Sequence, residues 1–98
     1  MRLSTFCQNN IKDTFKEVFG DGKIYLFGSR VDDSRRGGDI DLYIDIPNIT
    51  SLDEIYDKKS QFRLKLYNKI GEQKIDIVVS KDKNRSIEQE IIKTGILL

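Results

Sequence analysis

Residues 39–46 read Asp-Ile-Asp-Leu-Tyr-Ile-Asp-Ile, a strict alternation with a period of two. Only a β-strand sends alternate residues to opposite faces. Ile40, Leu42, Ile44 and Ile46 therefore share one aliphatic face, which needs a hydrophobic layer packed against it. Asp39, Asp41, Tyr43 and Asp45 share the other. Pro47, which has no N–H to donate to a ladder, closes the strand. Aspartate is depleted in strands, so three of them in one eight-residue run require a reason.

Electrostatics supplies one. Asp39 and Asp41 lie on one face, about 7 Å apart along the chain at ~3.3 Å per residue. With no basic residue between them, two such charges call for a cation. Magnesium suits the position, because it takes carboxylate and phosphate oxygens and keeps several waters. The same alternation also suits a strand that simply turns its aspartates to solvent. Residues 74–79, KIDIVV, set Asp76 opposite Ile75, Ile77 and Val79 in a second β-prone run. If the two strands are neighbours, Asp76 joins Asp39 and Asp41, and three carboxylates can hold two metal ions for an in-line phosphoryl displacement. If they are not, Asp76 is a solvent-facing side chain. Asp45 lies about 13 Å beyond Asp41 at ~3.3 Å per residue, too far for the same metal pair.

The rest of the chain places these strands in a fold. Ser4 or Thr5 caps a first helix whose apolar face is Cys7, Ile11, Phe15, Val18 and Phe19, ending at Gly20. Residues 23–27, KIYLF, form a strand. Ser51 and Glu54 make a capping box for a second helix, with Leu52, Ile55, Phe62, Leu66 and Ile70 at helical spacing and an end near Gly71. Ser86 and Gln89 read as another capping box, opening a short helix. The apolar end, Ile96-Leu97-Leu98, is either a short strand or a docking tail. The order is α-β-β-α-β-α. The expected fold is α/β (α+β), a small mixed sheet of three to four strands with helices packed on one face, in a single domain spanning 1–98.

Composition excludes other chemistry. The 98 residues contain no histidine, so no Ser-His or Cys-His nucleophile pair and none of the usual zinc sets can be built. Cys7 is the sole cysteine, so no internal disulfide forms. A net charge of +1 gives no general attraction to nucleic acid or to a membrane surface. No apolar run approaches a signal sequence or a membrane span, so the expected location is the cytoplasm. Tyr25, Tyr43, Tyr56 and Tyr67 either close the edge of a small core or join an interface.

Between the first two strands, Gly28-Ser29 marks a turn where backbone can approach a ligand closely and N–H and hydroxyl groups can meet phosphate. Arg30, Arg35 and Arg36 follow, either as triphosphate partners or as solvated loop charges, and Gly37 and Gly38 would let the loop move. Gly28-Ser29, nine intervening residues, Asp39-Ile40-Asp41-Leu42, and Asp76 in a later apolar strand together resemble the DNA polymerase beta nucleotidyltransferase superfamily. The resemblance covers residues 23–79. It implies that Gly28 and Ser29, with Arg30, contact the triphosphate of ATP or another NTP. It also implies that Asp39 and Asp41 bind both of two Mg2+ ions, and that Asp76 binds the catalytic one and helps deprotonate an acceptor hydroxyl. With no second domain to grip base or acceptor, the chain looks like the minimal nucleotidyltransferases. The resemblance to that group implies a small all-helical, HEPN-like partner protein in a toxin–antitoxin pair, modified with AMP on a hydroxyl. Two alternatives are a non-catalytic module that keeps the nucleotide fold and neutralises its partner by contact, and nucleotidylation of a small molecule.

Overall fold

The computed structural model describes residues 3–28, 40–47, 51–81 and 84–98. Helix α1 spans Thr5–Phe19, strand β1 Lys23–Phe27, β2 Ile40–Asp45, α2 Leu52–Ile70, β3 Ile75–Val79, α3 Ser86–Thr94 and β4 Ile96–Leu97. The local signals act as their chemistry requires. The Ser4 hydroxyl accepts from the Cys7 N–H at 3.1 Å, and the Ser51 hydroxyl accepts from the Glu54 N–H at 3.2 Å. Each satisfies a donor that the first helical turn leaves without a partner. Gly20 and Gly71 close the two helices, donating to the Lys16 and Tyr67 carbonyls.

The strands lie in the order β3-β2-β1-β4. The β1–β2 and β1–β4 pairs are antiparallel. The β2–β3 pair is parallel, with α2 as the crossover that a parallel connection needs. The apolar tail therefore becomes a strand, with Leu97 opposite Tyr25 and Ile96 opposite Leu26.

Ile40, Leu42 and Ile44 are fully buried beneath α1 and α2, and Ile46 packs at the margin of that core. Ile11 and Phe15 of α1 and Phe62 and Leu66 of α2 complete the layer. The Phe19 ring joins the two helices, 5.4 Å from Phe15 and 5.9 Å from Phe62 between centroids. Cys7 packs half-buried against the same core.

The fold class is the expected one, with one difference in the layers. All the helices were expected on one face of the sheet, but only α1 and α2 are there. Helix α3 lies over the opposite face, where its Glu88 meets Tyr43. A second difference explains the first. Ser86 is the first helical residue, not the cap. Arg85 occupies the cap position and makes no side-chain cap bond. The first-turn acid that matters is Glu88, and its carboxylate reaches the sheet. No helix among the described residues is long and apolar enough to cross a membrane.

Candidate active site

The aspartate face of β2 is built by its neighbours. In the antiparallel register with β1, Asp41 stands opposite Phe27. In the parallel register with β3, Asp41 stands opposite Asp76. Side chains at paired positions leave the sheet on the same side. The two carboxylates are thus lateral neighbours on adjacent strands, which lie about 4.8 Å apart in a sheet. The sequence required β2 and β3 to be adjacent for Asp76 to join the site, and they are. Asp41 is half-buried and Asp76 is exposed.

Gly28 completes this corner. It follows β1 directly and has φ +79°, a conformation that favours glycine. A Cβ at this position would run into the Asp41 carboxylate, meeting its Oδ2 and lying 3.1 Å from its Cγ. The glycine therefore does more than turn the chain. It leaves the space that the Asp41 carboxylate fills, with the backbone of residue 28 against it.

Asp39, Ser29 and Arg30 lie outside the described residues, as do Arg35, Arg36, Gly37 and Gly38. Asp41 and Asp76 are two hard oxygen donors side by side. No group of three metal-ligating side chains occurs among the described residues. Asp45 lies further along the same strand, opposite Lys23.

One cluster on this face escaped the sequence. Tyr43, one side-chain step from Asp41, is fully buried under α3 and donates to Glu88 Oε1 at 2.8 Å. The Ser80 hydroxyl donates to the same oxygen at 2.7 Å. The Lys81 N–H donates to Glu88 Oε2 at 3.2 Å, and Arg85 approaches that oxygen at 3.9 Å. Burial pushes the Tyr43 phenol up to about 12, and the neighbouring Glu88 charge adds to the shift, against a lowering by Ser80. This clamp fixes α3 over one part of the face. The Asp41–Asp76 row begins beyond it. The only hint in the sequence was an acid three residues after Arg85, a spacing that normally signals a cap.

The family model described as Polymerase beta, Nucleotidyltransferase matches residues 9–98. The chain belongs to the polymerase beta nucleotidyltransferase family. No curated protein matches it. Membership in the nucleotidyltransferase family makes nucleotidyl transfer, in general terms, the activity class of this fold. Within that frame Gly28 gives a specific expectation. Gly28→Ala forces a Cβ against the Asp41 carboxylate in a conformation that costs an L-residue about 1 kcal/mol or more. If Asp41 belongs to the transfer site, misplacing its carboxylate is expected to lower nucleotide turnover by about tenfold to a hundredfold. Steady-state kinetics and a melting curve on the same sample separate the two effects.

Proposed function

We propose that the chain is a metal-dependent nucleotidyltransferase that moves AMP from ATP to a hydroxyl on a small helical partner protein. The observation that carries the reading is the parallel register that sets Asp41 beside Asp76, with Gly28 folded against Asp41. Adjacent carboxylates suit hard divalent ions, and the family's reaction uses a polyanionic substrate. Asp41 and Asp76, with Asp39 two residues earlier in the sequence, would hold two Mg2+. Those ions would neutralise the triphosphate and the departing pyrophosphate.

The chain's own groups then have defined tasks. Asp76, exposed at the edge of the row, takes the proton of the acceptor hydroxyl. The acceptor oxygen forms a bond to the α-phosphorus, and the bond from that phosphorus to the β-phosphate bridging oxygen breaks. Pyrophosphate leaves with the electron pair. Ser29 and Arg30, with the Gly28 backbone, hold the triphosphate in line.

The test uses the purified protein, Mg2+, each of the four common nucleoside triphosphates, and any small helical protein encoded beside it. Intact mass should show the partner gaining whole AMP units with ATP, and none without Mg2+. No gain with any nucleotide, while the partner still binds and is silenced, selects the non-catalytic module instead.

A further inference from the structure

Strand β3 is the edge of the sheet, and its outward side is a built cleft. The Ile40 N–H donates to the Lys74 carbonyl and the Ser80 N–H donates to the Ile44 carbonyl, both at the β2–β3 seam. Even-numbered residues of β3 therefore bond to β2, and Ile75, Ile77 and Val79 point their N–H and C=O groups off the sheet. Arg63 covers the Ile75 carbonyl at 3.4 Å. Among the described residues no hydrogen bond is made to the backbone of Ile77 or Val79, residues that are 7% and 8% exposed. Both line a cleft of about 250 Å³ between β3 and the first half of α2. Its apolar wall includes Leu52 and Tyr56, which are 64% and 66% exposed. Its rim is basic, with Lys59, Lys81 and Arg85.

Of this rim, Arg85 faces the Glu88 carboxylate at 3.9 Å. Lys59 has no carboxylate within ion-pair distance among the described residues. Its amine is held below the usual lysine range, first by burial and then by repulsion from Arg63 and Lys81. A carboxylate arriving there would relieve a cluster of like charges.

We infer that this cleft receives an extended, acidic segment of a partner protein, which adds to β3 as an outer strand. The chemistry separates this occupant from a nucleic acid. Ile77 and Val79 present donors and acceptors in alternation, and only another backbone answers both. A phosphodiester chain offers acceptors at its phosphates, and its base N–H and 2′-hydroxyl donors do not repeat at the spacing of a β-strand. The cleft lies along the outer edge of β3, the strand that also carries Asp76, and neither Asp41 nor Asp76 lines it.

The experiment is an NMR titration of the 15N-labelled full chain. The probe is a blocked peptide of about eight residues, alternating valine with glutamate, long enough to pair with all of β3. The Ile77 and Val79 amides should shift and exchange with solvent at least about tenfold more slowly, since each gains a hydrogen bond. The Asp76 and Val78 amides, already bonded to β2, should show no added protection. Lys59→Glu with Lys81→Glu should weaken binding about tenfold or more. The matching valine–lysine peptide should not bind. The inference is overturned if the acidic peptide leaves Ile77 and Val79 unprotected at about 1 mM, a concentration that reveals even weak complexes. It is overturned equally if charge reversal leaves the affinity unchanged, or if oligouridylate displaces the peptide while protecting neither amide.

Discussion

Replacing Asp41 with asparagine is expected to lower nucleotidyl transfer by about a thousandfold, the scale seen when one element of transition-state charge stabilisation is removed. The variant keeps the shape of the side chain and its place against Gly28. It removes one negative charge from the pair that Asp41 forms with Asp76 across the parallel seam. Like charges placed directly opposite on neighbouring strands destabilise a sheet. Asp41→Asn should therefore fold with a melting temperature close to the native value in metal-free buffer. The separation of function from stability is the informative part. Mg2+ with nucleotide at ten times its dissociation constant should stabilise the native chain by about 1.4 kcal/mol. In a domain of this size that is a rise of roughly 6–11 °C. The same additions should leave Asp41→Asn almost unmoved. A native melting temperature that ignores Mg2+ and nucleotide, or an Asp41→Asn variant with full turnover, would count against the metal assignment.

Much of this arrangement was legible in the sequence because local chemistry wrote it. A period-two run fixes a strand and its two faces wherever the strand is placed. The Ser51–Glu54 spacing fixes the start of α2 in the same way, through one hydrogen bond that the structure shows. Strand adjacency is a different kind of fact. Nothing in KIDIVV states that Asp76 pairs with Asp41, because register is set by the α2 crossover and by burial of Ile75, Ile77 and Val79 against the helices. The reason for Gly28 was only half visible. Glycine after a strand announces a turn, but that its missing side chain houses the Asp41 carboxylate depends on the antiparallel pairing of Phe27 with Asp41. Tyr43 was legible in part. Its alternation with the aspartates places it on the polar face, where a tyrosine either closes the edge of a small core or joins an interface. It is fully buried, because α3 crosses to that face.

That crossing rests on one carboxylate. Glu88 is 1% exposed and accepts from the Tyr43 hydroxyl, the Ser80 hydroxyl and the Lys81 N–H. A buried charge persists only when its acceptors are met in this way. Glu88→Ala removes the acceptor and strands its donors, the fully buried Tyr43 hydroxyl above all. Leaving a buried polar group unmet costs about 1–3 kcal/mol. With more than one donor affected, the expected loss is about 2–4 kcal/mol, which would lower the melting temperature by roughly 10 °C or more. Tyr43→Phe removes one donor and leaves Glu88 its bonds from Ser80 and Lys81, so its expected cost is only about 1 kcal/mol. Adding Tyr43→Phe to Glu88→Ala should then recover part of the loss, since the stranded hydroxyl is gone. A double-mutant cycle by chemical denaturation measures that coupling. The phenol provides an independent check. Its ionisation lies near 12 in the folded chain, above its ordinary value of 10. The folded state thus holds this proton more tightly than the unfolded one, and the associated stability is intact below pH 10 and lost as pH rises towards 12. Tyr43→Phe should flatten that part of the alkaline stability profile. If Glu88→Ala melts like the native chain, α3 is held to the sheet by Ile91 and its apolar neighbours alone.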